Sequence, residues 1–197
     1  MSMKKKKEIT ELPDSALIEA QLSKQRYRTR YMSAVRNIII VMITVAAVIV
    51  LLTMLLMPVM RIYGKSMTPT LNTGNVVISL RYVNCGHGDV VAFYYNNRVL
   101  VKRIIAVSGD TVDIRDDGTV LVNGEELDEP YITNKGKGEC DIAFPYKVPD
   151  TQFFVMGDDR SVSADSRNSE IGCISEESII SKIIFRVFPI QEMGIVR

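Results

Sequence analysis

The sequence predicts a mostly β domain that follows a single long apolar helix. Three observations lead to this fold class. Residues 38–57 form an uncharged, strongly apolar run. After that run, short stretches rich in Val, Ile, Phe and Tyr alternate with turns rich in Gly, Asn and Asp, without a convincing helical period. The whole chain of 197 residues has room for one domain of ordinary size and an appendage.

The uncharged run predicts a transmembrane helix at residues 38–57. At about 1.5 Å per residue, a helix of this length spans roughly 30 Å, the thickness of a bilayer core. A buried core helix is the alternative, but such helices are usually shorter and amphipathic. A cleaved secretory signal would have a shorter apolar region before a small-residue cleavage site, whereas this run leads into MPVMRIYG. We therefore expect the helix to be retained as an anchor.

The charge distribution predicts the orientation of this anchor. The net charge is only +1, but residues 1–37 carry nine Lys or Arg and four Asp or Glu. Positive flanks of a membrane helix stay on the cytoplasmic side. The sequence thus predicts a basic cytoplasmic tail at residues 1–37 and an extracytoplasmic domain at residues 58–197 of a single-pass cell-membrane protein. We expect the tail to be solvated, partly disordered and attracted to anionic lipid.

The extracytoplasmic part is predicted to consist of short strands. Four runs have the composition of strands, namely NVVISLRYV (75–83), DVVAFYY (89–95), RVLVKRIIAV (98–107) and SKIIFRVF (181–188). The segment RDDGTVLVNGEEL (115–127) contains an Asp-Gly and an Asn-Gly hairpin signal around a short strand. Residues 128–152 are expected to form a long irregular excursion.

Three cysteines, Cys85, Cys140 and Cys173, all follow the apolar run. An odd number of cysteines cannot pair completely within one chain, and no C-x-x-C spacing indicates zinc or redox chemistry. We expect single thiols, with a disulfide between Cys140 and Cys173 as the alternative.

A serine in the turn YGKSMTPTL (63–71), Ser66, is a candidate nucleophile. The single histidine, His87, lies in the Gly-flanked turn CGHGD, where a solvated structural role is usual. The chain has no G-x-S-x-G motif, so a Ser-His-Asp triad has little support. Serine is also common in ordinary turns, and Ser66 alone does not indicate an enzyme.

A lysine inside a predicted strand, Lys102, is the candidate base. Lysine acts as a base only when apolar surroundings lower its pKa towards neutrality. The alternation of a strand places Leu100 and Ile104 on the same face as Lys102. Arg103 points to the other face and does not deprotonate in proteins. The alternative is that Lys102 extends from a strand edge into solvent.

Five ordered motifs together resemble the sequence boxes of bacterial type I signal peptidases. These motifs are GKSMTPTL (64–71), GDVVAF (88–93), VKRIIAVSGDTVDI (101–114), LVNGEEL (121–127) and MGDDRSVSADSRNSEIG (156–172). By composition alone the last motif is typical of a solvated loop. The resemblance covers roughly residues 58–190 and the preceding anchor.

The resemblance implies a membrane-bound Ser/Lys endopeptidase that removes signal peptides from exported preproteins, without cofactor or metal. It implies that Ser66 is the nucleophile, that Lys102 is the general base and that the Ser163 hydroxyl orients the lysine amine. Four more positions match residues that hold the catalytic loop or flank the base, namely Asp158, Asp165, Arg167 and Arg103. The substrate is expected to bind as an added strand, with small side chains before the cut.

Two positions depart from the pattern that the resemblance implies. Some relatives have a serine two positions before the nucleophile, and its hydroxyl is a second donor to the oxyanion. This chain has Gly64 at that position, so the sequence does not identify the second donor. Asp159 stands where asparagine is commoner and adds a negative charge. Lys65, between Gly64 and Ser66, is expected to be too exposed to act as the base.

Other readings of the same sequence remain. A membrane-tethered β module that binds preproteins without cutting them would have no need of both Ser66 and Lys102. A self-cleaving protease of the SOS-repressor kind shares the Ser/Lys pair but lacks a membrane helix. We expect a monomer that contacts signal peptides and lipid and binds no nucleic acid. Five apolar residues are expected to face either lipid or the core, namely Met57, Met60 and Met67 with Val59 and Ile62.

Overall fold

The computed structural model describes residues 15–196 as one long helix followed by short strands, which confirms the predicted mostly β fold class with an N-terminal helix. The helix α1 is Ser15–Leu56. The strands are β1 (Val59–Arg61), β2 (Val76–Leu80), β3 (Val90–Tyr95), β4 (Arg98–Ala106), β5 (Thr111–Ile114), β6 (Val120–Val122), β7 (Glu125–Glu126), β8 (Tyr146–Lys147), β9 (Gln152–Met156), β10 (Ile174–Ser175), β11 (Ile179–Phe188) and β12 (Gly194–Ile195). Two short 3₁₀ helices are Glu176–Ser178 and Ile190–Glu192. The chain divides into two compact units after Leu52.

The helix α1 includes most of the predicted membrane span and begins well before it. No Gly or Pro interrupts Ser15–Leu56, and Pro58 follows directly after its end, so local propensity favours one continuous helix. Within the described residues, Gln21–Leu56 is the one stretch of helix long and apolar enough to cross a membrane. Residues 15–37 are helical where partial disorder was expected, and residues 1–14 lie outside the described part of the chain.

The larger sheet contains the strands that carry the candidate site. Its order is β1-β2-β11-β3-β4-β9-β10, with β12 also paired to β11. The hairpin between β3 and β4 turns at Asn96 and Asn97, both with positive φ, as a two-residue hairpin requires. On its other side β4 pairs with β9 only from Arg103 onwards, so residues 98–102 have one unpaired edge.

The smaller sheet has the order β7-β6-β5-β8. The predicted Asn-Gly hairpin is present, and Asn123 and Gly124 both have positive φ between β6 and β7. The excursion at residues 128–152 is less irregular than expected, because β8 within it pairs with β5. The Tyr146 ring packs 5.9 Å from the Phe154 ring, which joins the excursion to the core.

Three clusters of buried apolar side chains form the core of the β domain. The cluster between β1, β2 and β11 contains Ile62 and Met67, which are 5% and 2% exposed. Of the two expectations, lipid contact or core packing, core packing is correct for Ile62 and Met67, and Met60 packs against the same cluster while partly buried. Met57 is half-buried. Val59 next to them is 63% exposed.

Candidate active site

Ser66 lies in a turn that is fastened to the core on both sides. Met67 and Leu71, which follow Ser66, are buried, and the Leu71 N–H donates to the Met67 carbonyl over 2.7 Å. Before Ser66, Gly64 has a φ of +100°, a conformation that glycine adopts at little cost. The Gly64 carbonyl accepts from Thr73 Oγ1 at 2.7 Å, and its N–H donates to the same oxygen at 3.1 Å. These contacts hold the half-buried Ser66 in a defined position.

A cavity of about 340 Å³ opens beside Ser66. Its walls are mainly apolar and come from β1, the serine turn and the unpaired half of β4. The apolar lining residues include Met60, Ile62, Met67, Leu100 and Val101.

Lys102 lies on β4 and is only 3% exposed. It pairs across the ladder with Val91, which belongs to the same apolar cluster as Ile104 and Leu100. The predicted apolar face around Lys102 is therefore present, and the alternative of a solvent-exposed edge lysine is wrong. Within residues 15–196 the Lys102 amine has no hydrogen bond and no ion pair.

The surroundings of Lys102 lower the pKa of its amine to about 8. Burial is the largest cause, because an apolar environment disfavours the charged form. The Asp165 carboxylate opposes this effect, and the Arg167 guanidinium adds to it.

Gly157 lies between two of the candidate residues, Ser66 and Ser163, at the end of the strand that pairs with the strand of Lys102. β9 pairs with β4 through Met156 opposite Arg103 and Val155 opposite Ile104, so Gly157 follows directly after the last paired residue and Lys102 directly precedes its partner on β4. A Cβ built on Gly157 would overlap both Ser163 Oγ and the Ser66 carbonyl oxygen.

The loop after Gly157 is also bonded directly to the serine turn. The Asp159 N–H donates to the Ser66 carbonyl at 3.0 Å. The Ser66 N–H and the Ser66 hydroxyl make no hydrogen bond within the described chain, and none joins Ser66 to Lys102. Asp159 itself accepts from the Ser161 hydroxyl at 2.6 Å, so its extra charge lies on a local turn.

Ser163 is 4% exposed and its hydroxyl oxygen is fully buried. The hydroxyl helps to lower the pKa of Asp165, but it does not meet the geometry of a hydrogen bond with that group. It has no other partner within residues 15–196. Buried hydroxyls are normally hydrogen-bonded, so an unpaired one is unusual. The Ser163 hydroxyl is therefore available to bond to a neighbouring group that moves towards it.

Three buried arginines surround this junction, each paired with a buried carboxylate. The pairs are Arg103 with Asp158, Arg167 with Asp165 and Arg160 with Glu129. The sequence analysis identified both members of the first two pairs and neither member of the third. Arg160 stands within the GDDR motif and had a local signal, whereas Glu129 lies in the excursion and had none.

The first two pairs fix the ends of the loop. Arg103 donates to both oxygens of Asp158, over 2.9 and 2.7 Å, and to the Gly88 carbonyl at 2.8 Å. Arg167 donates to both oxygens of Asp165, each at 2.8 Å. Burial acts to raise the pKa of Asp165, but its bonds to Arg167 outweigh burial and hold it below the usual value.

His87 and the cysteines lie outside this arrangement. His87 is half-exposed and its Nε2 contacts Asp110 Oδ2 at 2.7 Å, in keeping with the structural role expected for it. Cys85, Cys140 and Cys173 are all free thiols, so the alternative of a disulfide between Cys140 and Cys173 is not seen.

Comparison with known proteins identifies the family to which this chain belongs. The family model described as "Signal peptidase, peptidase S26" matches residues 34–188. The chain therefore belongs to the signal peptidase family, peptidase S26, and the family resemblance expected from the sequence is confirmed.

Individual relatives specify the type of signal peptidase that the chain resembles. It is 36% identical over 142 residues to signal peptidase I S of Bacillus subtilis, which covers 66% of this chain and 76% of the relative. It is 36% identical over 151 residues to signal peptidase IB of Staphylococcus aureus, and this alignment covers 66% of this chain and 78% of the relative. The crystal structure of a signal peptidase I from Enterococcus faecalis is 28% identical, with a TM-score of 0.44 over 51% of this chain and 97% of that one.

The predicted activity is thereby confirmed. The protein is a serine endopeptidase that removes signal peptides from preproteins, and its N-terminal helix anchors it in the membrane.

Proposed function

We propose that Ser66 is the nucleophile and Lys102 the general base of signal-peptide cleavage. One observation carries this assignment. Lys102 is a buried, unpaired amine with a pKa of about 8, and it lies on β4 next to Arg103, where the pairing with β9 ends just before Gly157, the glycine packed against the Ser66 carbonyl and the Ser163 hydroxyl. A lysine in such surroundings is suited to hold and release a proton near neutral pH.

In the proposed reaction, the neutral Lys102 amine takes the proton from Ser66 Oγ as that oxygen attacks the scissile carbonyl carbon. The resulting ammonium protonates the nitrogen of the leaving peptide, and an acyl group stays on Ser66. The neutral amine then takes a proton from water, whose oxygen attacks the acyl carbon. The bond to Ser66 Oγ breaks, the Lys102 ammonium returns its proton to that oxygen, and the signal peptide leaves as a carboxylic acid. With a pKa of about 8, about a tenth of Lys102 is already neutral at pH 7.

Supporting groups act on the geometry of this pair. We assign to the Ser163 hydroxyl, which is buried without a hydrogen-bond partner, the role of accepting from the Lys102 amine and orienting its lone pair towards Ser66. The Ser66 N–H has no partner in the described chain and is a donor for the developing oxyanion. Gly64 has no hydroxyl and its N–H is engaged by Thr73, so we assign Gly64 a conformational role only.

Two buried ion pairs, Arg103 with Asp158 and Arg167 with Asp165, hold the loop that follows Gly157. All four side chains are buried, which restricts their movement. Both carboxylates also act on the charge of Lys102, and both favour its protonated form. Burial must therefore remain complete for the amine to lose its proton near neutral pH.

The substrate binds as an added strand along the unpaired edge of β4. Residues 98–102 lack a partner on that side because β9 departs at Gly157. The cavity beside Ser66 is lined by Leu100 and Val101 of the same stretch and is apolar, which suits small uncharged side chains before the cut.

The orientation follows from the charge asymmetry. We propose that the basic tail at residues 1–37 lies in the cytoplasm and that the domain at residues 58–197 lies outside the membrane. Contact of the domain with lipid and a monomeric state remain predictions.

The assignment is tested with Ser66→Ala and Lys102→Met in purified full-length protein in detergent, by the rate of cleavage of a model preprotein. Each change should lower turnover by at least about a thousandfold. Methionine fits the apolar niche of Lys102 without a charge, so this variant should remain folded.

Lys65→Ala is the matched control, because Lys65 is exposed and adjacent to Ser66. It should keep turnover close to that of the unmodified protein. Retained cleavage by either Ser66→Ala or Lys102→Met would exclude the proposed pair.

A further inference from the structure

Glu129 is a buried carboxylate that the reaction described above does not use. It lies in the excursion after β7, and its side chain is only 2% exposed. Its carboxylate pairs with the Arg160 guanidinium, accepting from Nη2 at Oε1 and from Nη1 at Oε2 over 3.2 Å. The Tyr131 hydroxyl also donates to Glu129 Oε1, at 3.0 Å. Such a bidentate, fully enclosed pair restrains the arginine in one orientation.

Arg160 carries this restraint to Gly157. Its Nε donates to the Gly157 carbonyl at 3.1 Å, and its side chain is 1% exposed. The Gly157 N–H donates to Asp165 Oδ2 at 3.0 Å. Gly157 is thus held at both its N–H and its carbonyl by side chains that are themselves in buried ion pairs.

The position of Gly157 sets the spacing of the reacting groups. Gly157 follows Met156, the last residue of β9 that pairs with β4, and the space beside its Cα is filled by Ser163 Oγ and the Ser66 carbonyl oxygen. A displacement of Gly157 would therefore change the distance from the base to the nucleophile and to the hydroxyl that orients it. Misplacement of reacting groups by about 1 Å can reduce a rate about a hundredfold.

Tyr131 connects the same segment to the arginine beside the base. The Arg103 guanidinium lies 3.9 Å from the centre of the Tyr131 ring, in a cation–π contact. Residues 129–131 therefore contact the arginines of two of the three buried ion pairs.

We infer that Glu129 is a positioning residue for signal-peptide cleavage, acting through Arg160 to hold Gly157 where Lys102, Ser66 and Ser163 meet. The inference rests on the proposed roles of Ser66 and Lys102. Glu129 touches neither the substrate nor the reacting atoms, so its effect on the reaction is indirect.

The expected effect is on the environment of the lysine. Without Glu129, Arg160 is a buried cation without its partner and moves away from Gly157. The loop then loosens, water reaches Lys102, and the pKa of the amine rises towards its ordinary value. The charged groups that act on Lys102 are Asp165, Arg167 and Asp158, and neither Glu129 nor Arg160 is among them. A changed pH profile therefore reports position and burial rather than a direct charge effect.

The test compares Glu129→Gln, Arg160→Lys and the double variant, in full-length protein in detergent with a preprotein substrate. Each single change should lower kcat at pH 7 about tenfold and move the acidic limb of the pH profile about one unit to alkaline pH. KM should stay within about twofold, because the substrate edge of β4 is untouched. The double variant should be no worse than either single variant, since both changes release the same contact.

Glu126→Gln is the matched control. Glu126 lies three residues before Glu129, but it is 53% exposed and pairs only loosely with Arg115 and Lys135, at 3.5 and 3.6 Å. It should leave kcat and the pH profile unchanged. Should Glu129→Gln fail to fold, Glu129→Asp takes its place, with a smaller shift in the same direction expected.

A folded Glu129 variant with the unmodified kcat and acidic limb would overturn the inference, even with a lower unfolding temperature, because the role would then be structural only. Additive losses in the double variant would also overturn it. Failure of the proposed catalytic pair would be seen separately, as turnover in Ser66→Ala or Lys102→Met. The two failures are therefore distinguishable.

Discussion

At the scale of single residues, the decisive feature is a buried amine without an acidic partner. The buried arginines of this domain are each paired with a carboxylate, whereas Lys102 is not. Lowering its pKa from 10.5 to about 8 corresponds to about 3 kcal/mol. Below pH 8 the buried ammonium opposes folding by about that amount. Between pH 8 and 10.5 the unfolded chain binds more protons at this lysine, so this site's contribution to stability rises with pH.

The same lysine predicts the pH dependence of cleavage. Only the neutral amine accepts the Ser66 proton, so kcat/KM should rise about tenfold per pH unit below pH 8 and level off above it. The measurement is the initial rate of preprotein cleavage from pH 5 to pH 10, with circular dichroism at each pH to confirm that the protein is folded. A flat profile down to pH 5 would contradict the role of Lys102.

At the scale of elements, the departure of β9 from β4 creates the site. β9 pairs with β4 as far as Met156, and the chain then leaves the sheet at Gly157. This departure exposes the edge of β4 and directs the following loop over the serine turn, where the Asp159 N–H bonds to Ser66. Breaking a buried ion pair typically costs about 3–5 kcal/mol, so the pairs around this loop keep it close to one conformation.

Gly157→Ala tests whether the close packing of Gly157 against the serine turn and the following loop is needed for stability and activity. The added methyl group would overlap Ser163 and the Ser66 carbonyl, so one of them must move. We expect a loss of about 1–3 kcal/mol in the free energy of unfolding and a fall in kcat of about a hundredfold. Denaturant unfolding and steady-state kinetics measure the two effects.

Gly86→Ala is the control for this change. Gly86 also lies in a turn of the β domain, but a Cβ there would meet open space, and its φ is not positive. It should change neither stability nor rate appreciably. Unchanged turnover in Gly157→Ala would mean that the contacts at this glycine do not position the reacting groups.

At the scale of the whole molecule, the helix α1 anchors a β-rich peptidase in a membrane. At about 1.5 Å per residue, the 42 residues of α1 extend about 63 Å, roughly twice the thickness of a bilayer core. The charged residues of α1 lie between Glu19 and Arg36, before the apolar run that begins at residue 38. The apolar half can therefore span the bilayer while the charged half remains outside it.

The proposed orientation predicts the pattern of proteolysis. In sealed right-side-out membrane vesicles, an added protease should digest the β domain and leave a tag at the N-terminus intact, because the bilayer shields the basic tail. Immunoblotting for the tag and for the domain gives the result. Permeabilised vesicles, in which both should be lost, are the control. Loss of the tag with protection of the domain would reverse the orientation.

Local patterns predicted those parts of the fold that depend on residues close together in the chain. The Asn-Gly turn after β6 and the apolar face around Lys102 were predicted because hairpin geometry and strand alternation are local properties. The two-residue strands β8 and β10 were missed because they are too short to have a period. Glu129 was missed because its partner Arg160 lies 31 residues away.

The amino-acid sequence by itself determined the membrane anchor, the β class, the family and the identity of the candidate serine and lysine. These follow from hydrophobic runs, turn residues and motif order, which are readable along the chain. Only the tertiary structure decided that Lys102 is buried without a partner, that Gly157 packs against Ser66 and Ser163, and that Arg160 bonds to both Glu129 and the Gly157 carbonyl. Burial and buried ion pairs arise between distant segments, so they exist only once the chain has folded.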